Sequence, residues 1–324
     1  MGVEFARNAP INHGALLLSR SFFSRRPRIL ILGAGGWFGK TALALAGDVP
    51  TDMLLIGRKE RILRVNKRDF HIKEWSDSIV GDFGPEIVLD FAFLTRGVLD
   101  TVGHSEFLRV NTMLADRLLS LASSTSVRKI LTVSSGAALS AIGRPDNYIE
   151  GDPYGFLKYR LEKDLRRVAA QSGTSIVVAR AWSVSGGFVG PSESLAFSAF
   201  IRAALWNQRI DIHADSLVYR RYSAIEDFVA VSLWGLANAS FEEIDSGGER
   251  IEMLELAKEI ATQVGGTKIR ELVNHREALG ESAYVSDNLT WSRYSGEAGL
   301  VPLTISQQVE NVIIALRESH GVQT

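Results

Sequence analysis

The chain has 324 residues, 46% of them hydrophobic, enough to bury a large core as one large domain or two smaller ones. With 36 basic against 37 acidic residues, a net charge of −1, no global field draws it to nucleic acid or an anionic membrane, and an anionic ligand has to be held locally. The absence of cysteine excludes disulfides, thiolate metal sites and Cys nucleophiles and fits a reducing compartment; six scattered histidines, His104 and His213 among them, lack the H-x-x-x-H spacing of a zinc helix.

Residues 1–27 set Arg7, Arg20, Arg25 and Arg26 against one acid, Glu4, and their apolar core ALLL is too short for a signal peptide. An Arg/Ser-rich start is compatible with a transit peptide; a disordered or partner-contacting extension outside the fold is expected. From Arg28, RILILGAGG is an apolar run ending in glycines, and WFGKTALALAG has helical spacing with Gly47 as its C-cap. MLLIGR and EIVLDFAF read as further strands, RVNTMLADRLLSLASS as a helix, RKILTVSS as a strand, DPYGFLKYRLEKDLRRVAAQSG as a helix and SIVVARAWSVSGG as a strand. Apolar strands alternating with amphipathic helices predict an α/β fold, a doubly wound parallel sheet covered on both faces, over residues 28–184. The alternation then stops, so 185–221 and 241–324 read as a smaller, mostly C-terminal lobe, with the chain returning to the first domain at about 222–240. No apolar run approaches the ~20 residues that cross a bilayer, and a cytoplasmic protein is expected.

In ILGAGGWFGK the glycines stand between the first strand and its helix. Gly33 suits the tight reversal, Gly36 the approach of backbone amides to a pyrophosphate, and Gly39 the packing of helix on strand, with Trp37 and Phe38 between them. Phosphates would sit at the positive end of the helix; a tight turn without a ligand would read the same. At the end of the second strand, GRKE puts Arg58 and Lys59 where an NAD-binding fold carries an acid. This favours NADP(H), with NAD the alternative, unless the two cations are simply solvated loop charges. In DPYGFLK, Asp152 is a good N-cap and Pro153 fits N1, so Tyr154 falls in the first helical turn with Lys158 one turn on, on the same face. A phenol titrates near pH ~10 and needs its anion stabilised to act at neutral pH, which an ammonium and a helix N-terminus both do.

Taken in order over about residues 28–240, these stretches resemble the extended short-chain dehydrogenase/reductases, the nucleotide-sugar epimerase, dehydratase and reductase family. The resemblance implies a Rossmann domain with a substrate-binding lobe. It implies that Asp82 in IVGDFG contacts the adenine, and that Phe91, Ala92 and Phe93 end the strand lying against the cofactor, Phe93 replacing a usual alanine. Asn111 in RVNTMLADRLLSLA matches a structural asparagine, and Ser135 in LTVSSGA, with Ser134 beside it, the active-site hydroxyl. YGFLK matches the family's Y-x-x-x-K: Tyr154 would pass the proton, Ser135 bind the reacting oxygen, and Lys158 hold the nicotinamide ribose. ARAWSVSGG matches a strand whose proline is here Ala181, and Arg220 in YRRYSAIEDFVA matches the arginine that contacts a substrate diphosphate. Gly136 and Ala137 stand where 4,6-dehydratases carry an Asp-Glu pair, Leu139 replaces a pocket tyrosine, and no Cys is present for 3,5-epimerisation, so a dehydratase is disfavoured. The function implied is NADP(H)-dependent hydride transfer to or from a carbonyl or secondary alcohol of a keto-sugar nucleotide. The alternatives are a nucleotide-sugar 4-epimerase that retains NAD(P) and a non-catalytic NADP-sensing binding protein. A small-molecule substrate is expected, with no nucleic-acid or membrane partner, and a homodimer joined through helices near 110–122 and 154–170.

Overall fold

In the computed structural model, which describes residues 3–5, 9–190, 195–273 and 276–318, the chain opens with β1 (Val3–Phe5) and α1 (His13–Phe23). There follow β2 (Ile29–Leu32), α2 (Trp37–Ala46), β3 (Met53–Ile56), β4 (Arg61–Val65), β5 (Arg68–Lys73), α3 (Asp77–Phe83) and β6 (Ile87–Asp90). The second half of the first domain runs through α4 (Leu99–Val102), α5 (His104–Ala122), β7 (Lys129–Ser135), α6 (Pro153–Ser172), β8 (Ser175–Ala181) and β9 (Ser183–Ser185). Then come α7 (Ala196–Leu205), β10 (Ile210–Ile212), β11 (Leu217–Ala224), α8 (Ile225–Asn238), β12 (Phe241–Asp245), β13 (Glu249–Glu252) and α9 (Met253–Val264). The chain closes with β14 (Ile269–Glu271), β15 (Glu281–Tyr284), α10 (Leu289–Glu297) and α11 (Ile305–Glu318).

Nine strands form one sheet in the order β1-β4-β5-β3-β2-β6-β7-β8-β12. From β5 to β12 every pair is parallel, with Ile29 of β2 level with both Met53 and Ile87. Side chains alternate across the pleat: Ile29 and Ile31 enter one core with α1, α2, α8 and α10, while Leu30 and Leu32 enter a second with α3, α5 and α6. That is the doubly wound α/β sheet the alternation predicted. A third apolar cluster, built by α7, α9 and α11 around Ile210 and Ile212, lies apart from the sheet.

The structure adds what local pattern missed. β4 and β5 are an antiparallel hairpin turned at Asn66 and Lys67, both with positive φ, a two-residue turn that a Gly at the second position would have announced. Residues 1–27 are not an appendage over their described part. The Asn12 side chain accepts from the Gly14 amide at 3.0 Å to cap α1, and Ala15, Ser19, Phe22 and Phe23, at helical spacing, are buried in the core shared with α2 and α8. β12 extends the sheet by pairing Phe241 with Ile176, although residues after 240 were expected in the smaller lobe. Among the described residues no helix is long and apolar enough to cross a membrane.

One buried acidic pair gives the fold a pH dependence. Glu226 and Asp227 open α8; Asp227 accepts from the Asn12 side chain at 2.7 Å and the Leu303 amide at 2.8 Å, tying α1 and the segment before α11 to α8. Burial, reinforced by the Asp227 charge, pushes Glu226 up to about 8, and burial pushes Asp227 up to about 6. A raised carboxyl binds its proton more tightly folded than unfolded, so its contribution is complete at acid pH and is lost as pH rises to about 8. The difference in melting temperature between Glu226→Gln and the parent is therefore expected to grow in favour of the variant from pH 5 to pH 8, by up to ~1.4 kcal/mol of stability per pH unit. A parallel pair of melting curves across that range would show the reading to be wrong.

Candidate active site

The strand order reverses between β2 and β6, with β3 and β5 on one side and β7 and β8 on the other, so a crevice opens beyond the carboxyl ends of these strands. The glycine turn forms its floor. Gly33 has φ +73° and a Cβ there would come within 2.7 Å of the Phe91 carbonyl carbon. A Cβ on Gly39 would collide with Gly33 and Ala34, so helix and strand meet there without side chains. Gly36 caps α2 with no side-chain hydrogen bond, and no acid occupies the first turn, leaving the helix N-terminus suited to a phosphate. Phe38 stacks on Phe91 with centroids 6.1 Å apart and meets Phe228, both partly buried rings packing against the core beside the glycine turn. Trp37 packs beside them with a buried Nε1 that has no partner among the described residues.

Around β3 the cations divide. Arg58 and Lys59 are exposed past its end. Arg61 is the one that reaches the glycine turn, its guanidinium occupying the space that a Cβ on Gly35 would need. Asp82 is a correction: it is exposed in the last turn of α3, the helix that runs back from the crevice edge to the start of β6. The strand that reaches the crevice beside β3 is β5, which ends at Lys73 and puts Glu74 and Trp75, not Asp82, at that edge. The acid-glycine pattern of GDFG lies one element further along because β4 and β5 form a hairpin whose turn carries no glycine.

Ser135 ends β7 and is buried, its Oγ 3.3 Å from the Tyr284 hydroxyl and accepting from the Ala137 amide at 3.2 Å. Tyr154 is brought there by the start of α6, where Pro153 opens the helix and Asp152 accepts from the Gly155 amide at 3.0 Å. Asp152 also takes Arg96 at 2.9 Å, and that guanidinium stands 5.7 Å from the Tyr154 ring centre. Burial pushes the Tyr154 phenol up to about 12 against the opposing pull of the Ser135 hydroxyl and the Arg96 charge. Phe93 meets the Tyr154 ring edge-on with centroids 5.8 Å apart.

Lys158 is buried one turn further on. Its Nζ donates to the Val133 carbonyl at 2.7 Å and lies 3.7 Å from the centre of the Phe93 ring. Burial brings its pKa down to about 8, opposed by the charges of Asp90 and Glu162. Asp90, itself buried and pushed upward by burial, accepts from Thr132 at 2.8 Å. Asn111 is fully buried and brackets the segment that carries Phe93, accepting from the Leu94 amide at 2.7 Å and donating to the Leu94 carbonyl at 3.2 Å. Behind the site Ser134 donates to Glu162, which pairs with Arg180 at 2.7 Å, and Arg180 reaches Glu243 of β12 at 2.8 Å.

The side opposite Tyr154 is closed by residues with no local sequence signal. Tyr284, on β15, packs against Trp182 with ring centres 4.9 Å apart, and Arg220 lies 5.7 Å from the Tyr284 ring, so Tyr284 stands between Ser135 and Arg220. The Trp182 indole covers Gly136 so closely that a side chain there would clash, and no acid fits where a dehydratase would carry one. Among the described residues no three His, Asp or Glu side chains gather as a metal site. The glycine cradle, the open end of α2 and a buried ammonium fit a nicotinamide dinucleotide: Gly33, Gly36 and Gly39 would admit its pyrophosphate and Lys158 its ribose hydroxyls.

The family model described as the NAD dependent epimerase/dehydratase family matches residues 29–246. No curated protein sequence matches the chain. Among solved structures, a UDP-glucose 4-epimerase from Thermotoga maritima with UDP-glucose is 18% identical and superposes with a TM-score of 0.71, covering 90% of this chain and 99% of that one. A UDP-glucuronic acid 4-epimerase from Bacillus cereus in complex with NAD is 18% identical, TM-score 0.69, covering 91% and 98% of the two chains. A dTDP-glucose 4,6-dehydratase from Bacillus anthracis in complex with NAD is 14% identical, TM-score 0.67, covering 90% and 97%. At these identities the likeness is one of fold.

Proposed function

The chain belongs to the NAD dependent epimerase/dehydratase family, an NAD(P)-dependent enzyme of the extended short-chain dehydrogenase/reductase type, and from that premise we propose that it is an NADP(H)-dependent oxidoreductase acting on a keto-sugar nucleotide. The observation that carries this reading is the cluster at the end of β7, where Ser135, Tyr154 and Lys158 gather across β6 from the glycine turn. When bound, the nicotinamide supplies or accepts the hydride at its carbon 4. Ser135 holds the reacting oxygen, Tyr154 exchanges a proton with it, and Lys158 engages the ribose from below. A phenol raised to about 12 rests protonated at neutral pH, which suits donation to a carbonyl oxygen and therefore the reducing direction. The phenolate left behind is stabilised by the Arg96 charge until solvent returns its proton. Phe93, whose ring centre lies 3.7 Å from the ammonium, would border the ribose held there.

NADP(H) rather than NAD(H) is supported by the cations at the adenosine end, Arg58 and Lys59 past β3 and Arg61 over Gly35. Arg220 beyond Tyr284 supports a diphosphate on the substrate. The same reading carries a homodimer packed through α5 and α6, with half-buried Leu108, Met113 and Leu114 of α5 at the seam; light scattering on the purified chain would register it. The test of function is a panel of nucleotide-sugars with and without a 4-keto group, read by NADPH absorbance. Oxidation of NADPH by a keto member is expected, and silence across the panel would remove the reductase reading. The second reading, a 4-epimerase, is favoured by the neighbours solved as 4-epimerases. An epimerase regenerates its cofactor in place, so nucleotide retained through purification would select it.

A further inference from the structure

The first strand ends the sheet beside the glycine turn, and its one charged residue is aimed there. β1 pairs in parallel with β4, setting Glu4 level with Leu63. One carboxylate oxygen of Glu4 lies 2.7 Å from Arg61 Nε and the other 3.2 Å from Lys40 Nζ. Arg61 fills the space above Gly35, and Lys40 stands in the first turn of α2. The two cations therefore converge on one carboxylate at the adenosine end of the crevice, and that anion is supplied by the chain itself. Glu4 has 43% of its side chain in solvent, against 25% for Arg61 and 18% for Lys40, so the anion is the member of the trio free to leave.

We propose that Glu4 is a specificity-determining residue: an internal counter-anion that holds Arg61 and Lys40 and is displaced when a phosphate on the 2′ position of the adenosine ribose takes its place. The inference rests on the cofactor reading above. With Glu4 seated the trio carries one net positive charge, and with Glu4 displaced the same two cations face the phosphate dianion alone. The carboxylate thus opposes the 2′-phosphate by competition and by like charge, and has no such effect on a ribose with a free 2′-hydroxyl.

The test uses the adenosine end alone and reads binding, not turnover. Calorimetric titrations of the full-length parent and Glu4→Gln, which keeps the shape of the side chain and removes its charge, are made with adenosine 2′,5′-bisphosphate and with AMP. The variant is expected to bind the bisphosphate about tenfold more tightly, ~1.4 kcal/mol by the affinity relation, and AMP within about twofold of the parent. In an Arg61→Ala background the same substitution is expected to give no gain, because the cation it would release is gone. An unchanged ratio of the two affinities, an equal gain for both ligands, or weaker AMP binding would each overturn the role of Glu4 while leaving the cofactor reading intact. Failure of the parent to bind AMP, the bisphosphate, NADH and NADPH would overturn both.

Discussion

Tyr154→Phe is expected to lower turnover by about two to four powers of ten while leaving NADPH affinity near the parent value. The substitution removes one oxygen atom. The ring keeps its edge-on contact with Phe93, and the start of α6 keeps its Asp152 cap, so the fold loses only the influence of the phenol oxygen on the Ser135 hydroxyl. Ser135 retains the Tyr284 hydroxyl as a partner at 3.3 Å and the Ala137 amide at 3.2 Å, so it is not left unsatisfied. A loss of turnover without a matching loss of stability or cofactor binding is the signature of a proton-transfer group. Single-turnover hydride transfer on the folded variant reads it, and an enzyme with normal turnover would refute the assignment. Tyr284, whose hydroxyl lies 3.3 Å from Ser135 Oγ, is the control: if Tyr284→Phe produced the larger loss, the proton would pass on that side instead.

Lys158→Met is expected to weaken NADPH binding by about ten- to a hundredfold and to lower turnover with it. The ammonium is a buried, charge-assisted donor between the Val133 carbonyl and Phe93, and in its charged form it makes the stronger hydrogen bond to a ribose hydroxyl. With its pKa brought down to about 8, that form fades above pH 8, so parent affinity for NADPH should fall as pH rises through that value. Lys158→Arg keeps the charge throughout and should flatten the pH dependence even if its longer fork binds less well. The same lysine is the cation whose charge bears on buried Asp90, so Lys158→Met should also lower the melting temperature. Weaker stability with unchanged cofactor affinity would make Lys158 a structural partner of Asp90 and nothing more. The split between the two variants, turnover alone for Tyr154 and affinity with turnover for Lys158, separates chemistry from scaffold.

Sequence by itself determined what depends on neighbours along the chain. Apolar runs of four to seven residues between amphipathic helices are local facts, and they placed β2, β3, β6, β7 and β8 and the helices that cover them. The glycines of GAGGWFGK had to stand where backbone meets backbone, and Gly33 and Gly39 do. Asp152, Pro153, Tyr154 and Lys158 lie within seven residues of one another, so a cap and a helical period were enough to set Tyr154 and Lys158 on one face. Only the tertiary structure decided the rest. The β4–β5 hairpin turns on Asn66 and Lys67 in left-handed conformation, which the sheet imposes and the residue types do not announce. The burial of α1 comes from α2 and α8, one of them about two hundred residues away in sequence, and the place of Asp82 in the last turn of α3 follows from the hairpin that precedes that helix. Tyr284 meets Ser135 across 149 residues and Glu4 meets Arg61 through an edge pairing of β1 with β4. Contacts of that kind carry no periodicity and no local composition; they exist because strand order brings distant ends of the chain to one edge of the sheet, and no window along the sequence contains both partners.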